Sequence, residues 1–269
     1  PIPRTLTLTA YGDMNISQLK EKPANRLPVD TRTISIDRLN EVVSAIQRAL
    51  SSGAKIYWIC PLIDESEVLD LAAAEDRYAH LKSKFGARVG LLHGKMKGQE
   101  KDTVMKNFAA NDVDILVATT VVEVGIDVPE ATVMVIEHAE RFGLAQLHQL
   151  RGRVGRGATE SHCIMIAEQG EEALERLKVF RDTSDGFEIA RADLRIRGQG
   201  DLFGSQQHGR DPLLHFADLM IDEDLLIEAQ RAARELVAAD PELQEPAQRR
   251  MRELLESRYR ERLEMYGVG

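Results

Sequence analysis

Asp37-Arg-Leu-Asn-Glu-Val-Val-Ser-Ala-Ile-Gln-Arg-Ala-Leu-Ser-Ser-Gly-Ala-Lys-Ile-Tyr-Trp-Ile-Cys60 contains both element types that set the fold. Leu39, Val42, Val43, Ile46 and Leu50 recur at three- and four-residue intervals, the stripe of an amphipathic helix. Asp37 stands where a cap belongs and Gly53 where such a helix stops. Lys55–Cys60 is then apolar at consecutive positions, the mark of a strand covered on both faces. The alternation continues: helix Glu67–Phe85 closed by Gly86, strand Arg88–Leu92, helix Gln99–Ala110 and strand Asp114–Ala118. Strand Thr132–Glu137, helix Leu144–Arg151 and strand His162–Ile166 complete it. Short doubly apolar strands between helices predict an α/β fold, a mostly parallel sheet with helices on both faces. Ligands meet such sheets at the carboxyl ends of the strands. The predicted working edge is Pro61–Ser66, His93–Gly98, Thr119–Pro129 and the turn after Arg151.

The remaining residues divide the chain. Residues 1–34 carry Pro1, Pro3, Pro23 and Pro28 without sustained periodicity and read as a leader or connection. Residues 35–170 form the sheet lobe. Residues 171–215 hold helical periods at Ala173–Phe180 and Ile189–Ile196, then a glycine-punctuated loop from Gly198 to Gly209. Residues 216–269 read as a charged helical appendage with a narrow stripe of Leu225, Leu226, Ala229, Ala233 and Leu236. At 269 residues the chain has room for one or two domains of about 150 residues each. Its 43 % hydrophobic and 29 % charged composition is that of a folded chain rather than a disordered one. No apolar run reaches the roughly 20 residues of a bilayer span, and Pro1-Ile-Pro-Arg4 shows no export signal. Cys60 and Cys163 lie in apolar runs away from any Cys-x-x-Cys pair, so they read as core thiols in a reducing compartment.

The net charge of −9 argues at first sight against nucleic acid. Its distribution points the other way: residues 1–170 balance at −2 and residues 171–269 at −7. Between Arg141 and Arg156 every charged residue is an arginine, and from Arg191 to Arg210 four arginines face only Asp193 and Asp201.

The chemistry concentrates in Gln149-Leu-Arg-Gly-Arg-Val-Gly-Arg-Gly157. Three arginines separated by glycines can converge on one anion, and the planar guanidinium suits phosphate. A basic surface turn or a generic nucleic-acid loop is the other reading that spacing allows. Ala118–Pro129 comes directly after a buried strand and carries Thr119, Thr120, Gly125 and Asp127, groups able to meet phosphate or ribose. Taken alone, an ordinary connection with capping threonines and a structural Asp127 fits it better. No Gly-x-x-x-x-Gly-Lys-Ser/Thr phosphate loop occurs, since Gly94-Lys95 has Val89 and Met96 where the motif needs glycine and a hydroxyl. Asp64-Glu65 reads as a solvated strand-end pair. His80, His138, His148, His162 and His215 are scattered and read as surface or core side chains, and the tail arginines interleave with glutamates as on a solvated helix.

Gln149–Arg156 resembles motif six of superfamily-two helicases, Ala118–Pro129 resembles motif five, and Pro1-Ile-Pro-Arg-Thr5 resembles the tail of motif three. Leu8-Thr-Ala-Tyr-Gly-Asp13 and Tyr57-Trp-Ile-Cys-Pro-Leu-Ile-Asp-Glu-Ser66 resemble the RecG branch-migration helicases. Gly186–Gly209 is similar to the translocation hairpin that RecG and the Mfd transcription-repair coupling factors share. The resemblance implies a RecA-like carboxyl-terminal motor lobe over 35–170, the hairpin over 171–215 and carboxyl-terminal helices beyond. It further implies a chain that starts within motif three, so that the first motor lobe, with the Walker A loop, and the wedge domain lie elsewhere.

The same resemblance implies a role for each candidate residue. Arg153 and Arg156 are arginine fingers that Gln149 orients. Gly125 and Asp127 contact nucleotide or couple it to DNA. His93, Gly94, Thr119 and Thr120 touch the DNA backbone, and Arg195, Arg197 and Gln207 turn motor closure into duplex translocation. The implied cofactor is ATP with Mg2+, bound mainly by the first lobe. The implied partners are branched double-stranded DNA (forks and Holliday junctions), the first lobe and wedge domain, and single-strand-binding protein, in a bacterial cytoplasmic, nucleoid-associated setting with no membrane. The expected function is ATP-driven branch migration and fork reversal, without ATP hydrolysis by this chain alone. An Mfd-type translocase lobe and a non-catalytic nucleic-acid-binding module are the alternatives.

Overall fold

The computed structural model describes residues 27–61, 67–119, 128–157, 159–168, 170–197 and 223–266. Its strands are β1 (Val29–Ser35), β2 (Lys55–Cys60), β3 (Val89–Leu92), β4 (Ile115–Thr119), β5 (Ala131–Ile136) and β6 (Ser161–Ala167). They pair in the order β1-β6-β5-β2-β4-β3, every pair parallel. The helices are α1 (Leu39–Ser51), α2 (Glu67–Phe85), α3 (Gly98–Ala109), α4 (Leu144–Arg151), α5 (Glu171–Asp182) and α6 (Gly186–Arg197).

Strand side chains alternate between two cores, as a two-residue period requires. Ile56, Trp58 and Cys60 of β2 join Ile115 and Val117 beneath α1 and α2, where Val42, Val43, Ile46, Leu50, Ala74 and Leu81 are buried. Tyr57 and Ile59 face the other way with Leu116, Ala118, Met134 and Ile136. That second core is closed by Met105 and Phe108 of α3, Leu144, Leu147 and Leu150 of α4, Leu177 and Phe180 of α5, and Ile189 of α6. Each aliphatic side chain so buried contributes about 1.5–3 kcal/mol.

Three local expectations differ from the structure. Asp37 does not cap α1 with its side chain; it lies inside a 3-10 turn, Ile36–Arg38, whose cap is Ser35, with the Ser35 Oγ accepting from the Asp37 N–H at 3.3 Å. The stretch read as a connection contains β1, an edge strand in register with β6 from Val29 opposite Ser161 to Ser35 opposite Ala167. Its polar sequence hid it, since Thr31 alone is buried along it. Finally, α5 and α6 close the second core of the lobe, although the sequence division placed them beyond it.

The described residues fall into two units, one within 27–197 and the other within 223–266. The second contains α7 (Glu223–Ala239) and α8 (Arg249–Tyr266). Between these helices the Asp240 carboxylate accepts from the Gln244 and Glu245 N–H groups at 3.0 and 2.9 Å. Among the described residues no helix is long and apolar enough to cross a membrane.

Candidate nucleotide and nucleic-acid site

The arginine turn comes after α4, whose Leu144, Leu147 and Leu150 face the core and leave Gln149 exposed. Gly152 ends the helix, its N–H donating to the His148 carbonyl at 3.0 Å. Val154 and Gly155 fix the course of the turn. Val154 is 1 % exposed and anchors the turn in the core between Arg153 and Arg156. Gly155 has φ +70°, and a Cβ there would stand 2.7 Å from Val29 Cγ2. Glycine is required twice over, by the left-handed backbone and by the seat on β1.

The three arginines do not share one anion. Arg151 is buried, its guanidinium stacked 4.0 Å from the Phe180 ring centroid. It donates to the Phe180 carbonyl at 2.8 Å, the Thr183 carbonyl at 2.9 Å and the Thr31 hydroxyl at 3.5 Å. Burial pushes its pKa below the usual arginine range. Its donors are consumed in joining α4 to α5 and β1, so the expectation of three convergent arginines becomes one structural arginine and two presented ones. Arg156 is exposed, with its Nε donating to the Gly152 carbonyl at 3.2 Å, and Arg153 is half-buried.

The position of this turn corrects the expected working edge. Gly155 lies against Val29 and Ser161, the first residues of β1 and β6, and a Cβ on Gly157 would lie 3.9 Å from the Pro129 carbonyl just before β5. The arginine turn therefore sits at the amino edge of the sheet. The reason is connectivity: in a parallel strand-helix-strand unit the helix returns the chain to the edge where strands begin.

His93 and Thr119 occupy the opposite edge. Leu92 pairs with Ala118, so the next residues, His93 and Thr119, leave adjacent strands side by side. Thr119 is buried, and His93 is half-buried with its Nδ1 shielded and without a hydrogen-bond partner among the described residues. Gly94 opens on empty space, and Lys101 Nζ from α3 holds its carbonyl at 2.9 Å. Thr120, Gly125, Asp127 and Gln207 lie outside the described residues. Arg195 and Arg197 belong to the last turn of α6.

Sequence reading missed a buried cluster at the same carboxyl edge. Glu137, one residue past β5, accepts from Trp58 Nε1 and from both Nε and a terminal nitrogen of Arg77, the latter at 3.0 Å. Arg77 also lies 5.6 Å from the Trp58 ring centroid. A paired fork of this kind pins α2 to the sheet, and no sequence signal links partners 60 and 79 residues apart.

Residues 37–158 match the family described as helicase conserved C-terminal domain, and residues 183–264 match that of ATP-dependent DNA helicase RecG, domain 3, C-terminal. The ATP-dependent DNA helicase RecG of Bacillus subtilis (strain 168) is 47 % identical over 96 % of this chain and 38 % of its own length. The chain belongs to the RecG helicase family. The RecG of Acidithiobacillus ferridurans is 49 % identical over 90 % of this chain and 36 % of its own length. The chain thus spans little more than a third of these RecG relatives. A solved RecG bound to a three-way DNA junction superposes with a TM-score of 0.65 at 44 % identity, over 84 % of this chain and 29 % of that one. The sheet is accordingly the RecA-like carboxyl-terminal lobe of a helicase, as the resemblance implied.

Proposed function

We propose that this chain is the second motor lobe of an ATP-dependent RecG-type helicase that drives branch migration and reverses stalled forks. The observation that carries the reading is the arginine turn: Val154 and Gly155 lock its backbone, with Arg156 exposed and Arg153 half-buried on either side of Val154. Fixed cations on a rigid turn can offset the charge that develops on a transferring phosphoryl group. In this role Arg153 and Arg156 reach γ-phosphate held by a first motor lobe, and Gln149, exposed one turn earlier, orients them. ATP with Mg2+ is held mainly by that lobe, in keeping with the lack of a phosphate-loop motif in these 269 residues.

His93 and Gly94 take the DNA backbone at the carboxyl edge, where Thr119, buried at the end of β4, supports them, and Thr120 joins them in that contact, while Gly125 and Asp127 act in the connection between β4 and β5. Arg195, Arg197 and Gln207 convert lobe closure into movement on duplex. Branched DNA is the proposed substrate, supported by the junction bound to the solved RecG relative.

The purified chain is expected to leave ATP intact. Adding the phosphate-loop lobe of the Bacillus subtilis relative should produce DNA-stimulated hydrolysis that Arg153→Ala removes. Hydrolysis by the chain alone, or a supplemented activity indifferent to Arg153, would sink the reading.

A further inference from the structure

The ends of β5 and β6 bring together three side chains that the helicase reading does not use. His138 lies two residues past β5, Glu140 in the following 3-10 turn Ala139–Arg141, and Glu168 immediately past β6. The His138 Nδ1 stands 3.1 Å from Glu140 Oε1 and 3.5 Å from Glu168 Oε1, and the three ligand atoms all lie within 4.8 Å of one another. We propose that these three residues form a binding site for a first-row divalent cation of the Zn2+ type, clipping the carboxyl ends of β5 and β6 together.

The geometry fits such an ion. Nitrogen and oxygen ligands at roughly 2.0–2.1 Å in tetrahedral array stand about 3.3 Å apart. The two imidazole-carboxylate separations of 3.1 and 3.5 Å bracket that edge length, and the carboxylate-carboxylate edge, within 4.8 Å, is brought to it by rotation of the exposed Glu168 side chain. A single imidazole nitrogen carries at most one proton and donates it well to one oxygen, so the second carboxylate has no other strong partner in the cluster. A cation between them satisfies both and offsets their mutual repulsion.

The surroundings hold the site open on one side. Arg176 donates to the Glu140 carbonyl and the Glu168 N–H donates to Glu140 Oε2 at 3.4 Å, which fixes the turn and aims Oε1 at the imidazole. Glu140 is 15 % and His138 24 % exposed, whereas Glu168 is 60 % exposed and gives the ion its way in. Two arginines border the site: Arg176 donates to the Glu140 carbonyl, and Arg141 Nε is 3.9 Å from Glu140 Oε1, a looser contact than any metal bond. An imidazole ligand favours Zn2+, Co2+ or Ni2+ over Mg2+, which prefers all-oxygen shells.

The test is a Co2+ titration of the EDTA-treated chain, read by visible d–d absorption, with Zn2+ competition and calorimetric stoichiometry. One equivalent is expected, displaced by Zn2+ and indifferent to Mg2+. Glu168→Gln and His138→Asn should each weaken it at least about tenfold, while Glu160→Gln on the exposed surface leaves it unchanged. Glu168→Gln alters only an exposed side chain, so a loss there is not a loss of fold; circular dichroism of each variant checks this. The absence of a stoichiometric equivalent, or titrations of both ligand variants that superimpose on the parent, would overturn the proposal.

Discussion

The two edges of the sheet are built on different principles. At the amino edge the backbone is locked by packing, with Val154 in the core and Gly155 pressed on Val29, and charge is presented outward. At the carboxyl edge polar groups are drawn inward: Thr119 and Glu137 are buried, and Glu137 is clasped by Trp58 and Arg77. The amino edge suits a partner whose charge develops only briefly, because rigid donors need no rearrangement at that moment. The carboxyl edge suits a partner met at an open backbone, as Gly94 provides. The contrast extends inside the arginine turn, where neighbours two residues apart have opposite fates.

The largest effect that can break this contrast is on catalysis. With the phosphate-loop lobe supplied, Arg156→Ala should lower DNA-stimulated ATP hydrolysis by about a thousandfold or more, with the melting temperature of the chain unchanged. Arg151→Ala should behave in the reverse sense. It strands two carbonyls and empties the face of Phe180, at a cost of about 3 kcal/mol in urea unfolding. Arg151→Lys should not recover it, since an ammonium cannot span both carbonyls and stack. Equal stability losses at 151 and 156 would erase the distinction.

At the opposite edge, His93→Ala should weaken duplex binding about fivefold, the worth of roughly one hydrogen bond, and leave the supplemented basal ATP turnover without DNA intact. The smallest effect concerns the core between the edges. Burial pushes the Cys163 thiol from 9.0 up to about 12. Below pH 9 the thiol is protonated whether folded or unfolded; above it the unfolded chain releases the proton first. Stability from this group is therefore full below pH 9 and lost as pH rises toward 12, a slope that Cys163→Ala should flatten. A thiol reagent at about pH 8, below the ordinary thiol range, should label neither Cys163 nor Cys60 until the chain unfolds, since both are buried.

Most of the architecture was legible because it is written in local periodicity: β2 from Lys55 to Cys60 and α4 from Leu144 to Arg151 lie where the residues predict them. β1 was not legible, because an edge strand with polar residues on its open side carries no apolar alternation. Arg151 was not, because its partners lie 29 and 32 residues away and spacing cannot separate a buried guanidinium from a presented one. The amino-edge position of the arginine turn was available in principle from connectivity alone, which outranks the general preference for carboxyl-edge sites. The grouping of His138 with Glu168 was invisible for a different reason: it depends on β5 and β6 being neighbours.

β1 has one more consequence, for anyone who trims this protein. A chain begun at Ile36, where the helical pattern opens, would remove the strand that covers β6. Cys163, Met165 and Ile166 would then lie along a bare sheet margin with its donors and acceptors unanswered. Such a margin recruits other copies of itself, so the shortened lobe should come out of expression as soluble aggregate or inclusion bodies, while one begun before Val29 should stay monodisperse.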